Sequence, residues 1–321
     1  MSPSFAAEKL DIAALLQCPH CRHAPLAMST TDALSCAACG QEYTIEGRVP
    51  RLAANPYVAS FGRQWNRYDV ERPEEDAEVF LTKTGLTPAS LAGRLVLDAG
   101  CGGGRYSRLL GTHGAHVVGL DLSSAVDKAA SACADLPNVQ IIQADLLDIP
   151  IPACTFDAAF SIGVLHHSPD PRRAFQQVAD KVKPGGTLAV WLYRKNTWPQ
   201  ECLNSGLRAV TTRLPARFLE TACVGLGALG SIPVLKRTLN KAVNFSNHPD
   251  WTLRVCDNFD WYAPTYQSHH TVAELMRWFE EEGFSELQEL SPGKSGGLYR
   301  WAYHNNLIIG SGVNVAGRKR A

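Results

Sequence analysis

The chain has 321 residues, 45% hydrophobic and 19% charged, which is enough apolar material for a sizeable core and excludes general disorder. Thirty-one basic and thirty-one acidic side chains cancel, which argues against a duplex-binding protein, since that activity calls for a basic excess or stripe. The first residues lack the basic-then-apolar order of a secretion signal and no apolar run is long enough to span a membrane, so a cytoplasmic protein is expected.

Two Cys-x-x-Cys pairs come first, Cys18-Pro-His-Cys21 and Cys36-Ala-Ala-Cys39, with fourteen residues between them. Each pair can turn two thiolates toward one tetrahedral ion, and the arm between them has hairpin length. Residues 1–54 are therefore expected to form a zinc ribbon in which Cys18, Cys21, Cys36 and Cys39 hold a structural Zn2+. Four thiolates leave no open coordination position, which argues for a structural rather than a catalytic ion. The remaining six cysteines are scattered, as in a reducing compartment. Residues 55–90 read as a helical linker that carries Phe61-Gly-Arg-Gln-Trp65.

From residue 91 to 193 the pattern alternates strand and helix, as an α/β fold requires. Strands are expected at 94–99, 117–120, 139–143, 156–162 and 187–193, with helices at 105–111, 125–134 and 172–182. The run Val96-Leu-Asp-Ala-Gly-Cys-Gly-Gly-Gly-Arg-Tyr106 ends a strand in a carboxylate, turns through glycines and opens a helix. Glycine lets the backbone approach a ligand closely because it lacks a Cβ and tolerates positive φ. His116-Val-Val-Gly-Leu-Asp121 is a second strand ending in an acid. That succession suits the ribose of an adenosine cofactor without separating NAD from the others.

Residues 194–270 exceed what such a sheet needs and are expected to form a mostly helical substrate lid over the carboxyl ends of the strands. The apolar stretch 222–235 reads either as a buried lid helix or as a patch for an isoprenoid or acyl substrate. Thr271-Val-Ala-Glu274 has the form of a capping box, and Gly283 ends its helix. Residues 271–305 should complete the core, with strands at 284–290 and 298–304. Residues 306–321, with Arg318-Lys-Arg320, read as a solvated tail.

Five motifs in order carry a resemblance: Leu97-Asp-Ala-Gly-Cys-Gly-Gly-Gly104, Val118-Gly-Leu-Asp121, Gln143-Ala-Asp-Leu-Leu-Asp-Ile-Pro150, the stretch from Phe156 to Asp170, and Val182-Lys-Pro-Gly-Gly-Thr-Leu188. Together they resemble the class I S-adenosylmethionine-dependent methyltransferases. The resemblance implies a Rossmann-like α/β fold whose seven-stranded sheet has the order 3-2-1-4-5-7-6, the last strand antiparallel. It implies that Gly100, Gly102 and Gly104 line the methionine and ribose of S-adenosyl-L-methionine. Asp98 would organise the amino end, Asp121 would take the ribose hydroxyls, and Asp145 with Leu146 would take the adenine. Cys101, Arg105, Tyr106, Leu122 and Ser161 complete the implied cofactor site.

The segment from Cys18 to Pro50 is similar to the small zinc-ribbon activator subunit of tRNA and translation-factor methyltransferases, here fused in cis. Similar fusions with a Phe-Gly-x-Gln-Trp element occur in bacterial methyltransferases of saccharide or secondary-metabolite pathways. The implied function is O- or N-methylation of a small molecule by in-line transfer. An RNA methyltransferase that uses the ribbon, a cofactor-binding scaffold and another adenosine-cofactor enzyme are the alternatives. Ser161-Ile-Gly-Val164 stands where base and glutamine methyltransferases carry Asn/Asp-Pro-Pro-Tyr/Phe.

A hydroxyl acceptor needs its proton removed, and an imidazole can take it at neutral pH. His166 or His167, after the fourth strand, is the candidate base, with Ser161 beside the transferred methyl. Trp65, Tyr193, Asp260, Tyr262, Tyr266 and His269 are the candidate acceptor-binding residues. The expected partner is a small molecule, with no nucleic acid and no transmembrane segment; a homodimer is left open.

Overall fold

Two β-sheets organise the chain in a computed structural model, which describes residues 9–53, 73–229, 231–232, 246, 250–291, 301, 303–305 and 312–321. The smaller sheet is antiparallel, in the order β1 (Ala27–Thr30), β2 (Ala33–Ser35), β3 (Glu42–Glu46) and β4 (Val49–Pro50). Its strands are short and largely exposed, so it can bury little on its own. Leu16, Leu26 and Leu34, with Cys18 and Cys36, instead join one core with Ile149 and Ile151 of the larger sheet's loops. Main-chain bonds reinforce that contact: Gln17 N–H donates to the Pro150 carbonyl at 3.0 Å and Leu52 N–H to the Gln143 carbonyl at 2.9 Å. Ion pairs Arg22–Asp148 and Arg51–Asp127 flank it.

The larger sheet contains β5 (Leu95–Ala99), β6 (His116–Asp121), β7 (Val139–Gln143), β8 (Phe156–Ile162), β9 (Val182–Tyr193), β10 (Phe284–Glu289) and β11 (Gly312–Lys319). Their spatial order is β7-β6-β5-β8-β9-β11-β10, with β5 to β9 parallel and β11 antiparallel to both neighbours. This is the order 3-2-1-4-5-7-6 with an antiparallel last strand, the Rossmann-like class I methyltransferase sheet. β5, β6 and β7 are near-continuous apolar runs, buried on both faces as a covered parallel sheet requires.

The helices among the described residues are α1 (Ile12–Leu15), α2 (Pro73–Thr84), α3 (Arg105–Thr112), α4 (Ala125–Ala132), α5 (Pro171–Lys181) and, after β9, α6 (Trp198–Thr211), α7 (Ala216–Leu229), α8 (Trp251–Tyr262) and α9 (Val272–Glu281). Asp170 caps α5 by accepting the Arg173 N–H at 3.0 Å, with Pro171 at the first turn. The capping box of Thr271 and Glu274 is formed on α9. No helix among the described residues is long and apolar enough to cross a membrane.

Two sequence expectations are corrected. The fifth strand does not begin at 187, and Lys183-Pro-Gly-Gly186 already belongs to it. β9 already begins at Val182 and carries these residues as a bulge opposite Phe156–Ala158, with Gly185 at φ +75°. A bulge tolerates the missing proline N–H. The final strand is Gly312–Lys319, not 298–304: Trp301, Tyr303 and His304 are helical, and Arg318 and Lys319 lie in β11 rather than in a tail.

The strand signal of β11 is muted by small and polar residues that serve its central position. Asn314 is buried and donates to the Thr82 carbonyl at 3.3 Å, and a Cβ on Gly317 would stand 2.6 Å from Leu287 Cδ2. Val313 is fully buried between β9 and β10. Val313→Asp is therefore expected to cost about 3 kcal/mol or more in urea denaturation, whereas a tail residue would shift stability by roughly 0.5 kcal/mol or less.

Candidate active site

β5 ends at Ala99 and the chain turns sharply into α3. Gly100, at φ +95°, and Cys101 donate their N–H groups to the Leu120 carbonyl at 2.7 and 2.9 Å. Gly102 N–H donates to an Asp121 carboxylate oxygen at 3.0 Å, so the loop is tied to the end of β6. A Cβ on Gly100 would stand 2.4 Å from both Val164 methyls, and one on Gly104 would stand 2.9 Å from Ala129 Cα. Those positions need glycine, and the bare backbone forms one wall of a cavity of about 270 Å3 at the carboxyl ends of the parallel strands.

One end of the cavity lies at the glycine loop. It is lined by Asp98, Gly100, Cys101, Gly102, Asp121, Leu122, Asp145 and Leu146. Asp98 is buried and accepts the Ser107 hydroxyl at 2.7 Å; burial, assisted by the nearby Asp121, outweighs that bond and raises its pKa to about 7. Asp121 accepts the Ser123 N–H at 2.8 Å and O–H at 2.7 Å, and burial raises it above the usual carboxylate range. Asp145 accepts the Leu147 N–H at 2.9 Å. Burial likewise pushes the Cys101 thiol well up, leaving it a neutral space-filling group.

Arg105 lines the same region but is engaged: its Nε donates to Asp76 of α2 at 2.6 Å. Tyr106 packs against Phe80 and Phe160, with centroids 5.7 and 6.3 Å away. Ser161 is not in the cavity wall. It is fully buried, and its hydroxyl donates to the Ala99 carbonyl at 2.8 Å, linking β8 to β5.

The other end is formed by Lys83, His167, Ser168, Trp191, Tyr193, Leu253, Cys256, Asp257 and Asp260. The last four lie at i, i+3, i+4 and i+7 of α8, so helix geometry alone sets them on one face. The Tyr193 hydroxyl donates to Asp260, and its ring stacks between His166 at 4.0 Å and Trp261 at 4.5 Å. Burial and the Asp260 charge hold the phenol well above its ordinary pKa, so it remains a donor. Lys83 rests its ammonium 4.3 Å above the centre of the Trp191 ring, and burial lowers its pKa to about 8.

The two histidines of the pair differ. His167 Nδ1–H donates to the Tyr266 carbonyl at 3.0 Å, which puts the lone pair on Nε2, 3.7 Å from an Asp260 oxygen. His166 is fully buried behind Tyr193, outside the wall, and its Nδ1 accepts the Tyr193 N–H at 3.4 Å. Burial, with His167 next to it, depresses its pKa well below that of a free imidazole, so it stays neutral.

Three candidate acceptor residues also lie elsewhere. Tyr262 is in the insertion's own core with Leu219, Cys223 and Phe259. Tyr266 is 40% exposed and outside the cavity lining, and its carbonyl accepts the His167 Nδ1–H. His269 pairs with Glu201 at 2.5 Å in a separate polar cleft. Trp65 lies outside the described residues. Conversely, Lys83, Trp191 and Asp257 were not singled out from sequence. The helical period of α8 could have found Asp257, but nothing local marks Lys83, which reaches the cavity only through the packing of α2 on β9.

Away from the cavity, the sulfurs of Cys18, Cys21, Cys36 and Cys39 all lie within 4.8 Å of one another. Cys18–Cys39 and Cys21–Cys36 are 3.6 and 3.5 Å apart, and a tetrahedral ion with Zn–S bonds of about 2.3 Å needs spacings near these.

A family model described as a methyltransferase domain matches residues 97–190. The chain is 33% identical over 187 residues to a malonyl-[acyl-carrier protein] O-methyltransferase of Pseudescherichia vulneris, covering 55% of this chain and 71% of that one. It is 38% identical over 101 residues to a ubiquinone biosynthesis O-methyltransferase of Coxiella burnetii, covering 31% of this chain but only 43% of that relative's length. Among solved structures it is similar to an S-adenosylmethionine dependent methyltransferase from Mesorhizobium loti, with 23% identity, a TM-score of 0.47, and coverage of 77% of this chain and 100% of that one.

Because Asp98 has a raised pKa in the folded chain, its stabilising contribution is complete below about pH 4 and lost as pH rises through about 7. Asp98→Asn removes that dependence. In urea titrations of the ligand-free protein, the variant should gain on the wild type by on the order of 1–3 kcal/mol between about pH 5 and 8.

Proposed function

Since the chain belongs to the class I S-adenosylmethionine-dependent methyltransferase family, we propose that it methylates a hydroxyl or amine of a small-molecule acceptor. The observation that carries this reading is the lining of the cavity: Asp98, Asp121 and Asp145 stand with the glycine loop, and the imidazole of His167 lines the same space. The end at the loop suits a cationic nucleoside. Asp121 would accept the ribose hydroxyls, Asp145 and Leu146 would meet the adenine, and Asp98 would face the ammonium. When bound, the cofactor supplies a methyl carbon attached to a positively charged sulfur, a good leaving group.

The chain's own residues then have two tasks. The first is to hold the acceptor in line and dry, a task to which α8 contributes the face that lines the cavity. The second is to take the acceptor's proton, and His167 is the assigned base. Its Nδ1–H is held by the Tyr266 carbonyl, so Nε2 can accept, and Asp260 stands ready to stabilise the resulting imidazolium. Asp260 is itself oriented by the Tyr193 hydroxyl. His166 is assigned a packing role behind Tyr193, and Ser161 the role of a strand-to-strand latch. We place the acceptor in saccharide or secondary-metabolite biosynthesis, following the ribbon-fused sequences that this chain resembles, and the protein in the cytoplasm, where its free cysteines stay reduced.

The reading is tested by incubating the protein with the cofactor and candidate acceptors, following S-adenosylhomocysteine release and a mass gain of one methylene. His167→Ala should lower kcat by about 10²–10⁴-fold, while His166→Asn should lower it less than about tenfold. Near-full turnover of the His167 variant would remove the base assignment.

The sulfur cluster we assign to a structural zinc ion. Tyr43 donates its hydroxyl toward Cys18 at 3.1 Å, the kind of outer contact that orients a ligating thiolate. Elemental analysis should find one zinc per chain. Chelation or Cys36→Ser should lower the melting temperature by several degrees, because Cys18 and Cys36 share a core with Ile149 and Ile151. A metal-free protein that melts unchanged would refute the assignment.

A further inference from the structure

The acceptor end of the cavity carries more charge than a proton transfer to His167 uses. Two carboxylates and one ammonium converge there, and their partners differ. Asp260 accepts from Tyr193, and Asp257 accepts the Ser246 hydroxyl at 2.6 Å. Arg105, the neighbouring guanidinium, is committed to Asp76. Lys83 also lines the cavity. Among the described residues its ammonium has neither a hydrogen bond nor an ion pair, only the face of Trp191. Asp257 and Asp260 act on it at longer range and favour its charge, while Arg105 opposes it. At neutral pH it is therefore predominantly a cation held in a cavity wall.

A half-buried ammonium in a cavity wall, without a hydrogen bond or ion pair among the described residues, is poorly solvated, and an anion binding beside it restores part of what it lacks. We propose that Lys83 recognises a carboxylate on the acceptor, so that the substrate is a hydroxylated or amine-bearing carboxylic acid. The number of charges decides the class of anion. With Asp257 and Asp260 at the same end, a phosphate dianion meets about twice the repulsion that a singly charged carboxylate meets, while only one ammonium is there to attract either, so the carboxylate is favoured. The setting suits a flat group as well: the carboxylate plane can lie along the Trp191 face on which the ammonium rests. Lys83 is placed for this by the last turn of α2, whose carbonyls at Thr82 and Lys83 accept the Asn314 side chain from β11 at 3.3 and 3.4 Å. The lysine is thus fixed to the sheet.

This inference rests on the methyltransferase reading of the same cavity, and one experiment separates the two. The zinc-loaded 321-residue protein is first titrated calorimetrically with S-adenosylhomocysteine. The saturated protein is then titrated with 4-hydroxybenzoate and with 4-hydroxybenzamide, alike in shape and different in charge. The expected result is that the carboxylate binds about tenfold or more tightly than the amide, that Lys83→Met abolishes the difference, and that Lys83→Arg keeps most of it. S-adenosylhomocysteine affinity should be equal in all three proteins, which also shows that the variants are folded.

Equal affinity for the two probes, or no binding of the carboxylate at millimolar concentration, overturns the proposal. Loss of S-adenosylhomocysteine affinity in Lys83→Met overturns it too, because Lys83 would then serve the cofactor's own carboxylate. Failure of S-adenosylhomocysteine to bind the wild type would instead count against the methyltransferase reading on which it rests.

Discussion

The bond between the Gly102 N–H and the Asp121 carboxylate, with the paired bonds from Gly100 and Cys101 to the Leu120 carbonyl, sets up the rest of the molecule. It fastens a loop with almost no side chains to the end of the neighbouring strand. The loop can then stand open without collapsing into the cavity beside it. Positive φ at Gly100 and the proximity of Val164 exclude any side chain at that position. The carboxylates of Asp98 and Asp121 are brought into a buried space as a consequence, and burial is what raises both of their pKa values. A site of this kind costs stability in the empty protein and regains it on binding a cation.

The second half of the site comes from elements far apart in the chain. β9 contributes Trp191 and Tyr193, the turn after β8 contributes His167, α8 contributes Asp257 and Asp260, and α2 contributes Lys83. Their roles divide by burial and by hydrogen bond. His166 and His167 are adjacent residues of the same type, yet one is a neutral plug and the other faces the cavity. The short helical turn at Leu165–His167 and the Tyr193 ring account for that division.

The small antiparallel sheet with its four cysteines is continuous with this arrangement. Its buried cysteines and leucines lie in the same core as the loop that follows β7, and main-chain bonds at Gln17 and Leu52 extend the contact. Asp145 and Leu146 stand at the start of that loop.

Much of this could be read from residue order. The alternation of apolar runs with glycine turns, the acid ending each of the first two strands, the capping box at Thr271 and the spacing of the four cysteines are local signals. Each arises from φ/ψ freedom, hydrogen-bond geometry or ligand reach over a few residues, so no long-range contact is needed to express it. The position of the last strand was not legible, because β11 owes its place to small residues and a buried asparagine that make sense only between β9 and β10. Nor was it legible which of His166 and His167 faces the cavity, that Ser161, Tyr262 and His269 lie away from it, or that Lys83 reaches it. Those outcomes depend on which face of an element is turned inward and on what another segment packs against it, and such facts come into being when distant parts of the chain meet.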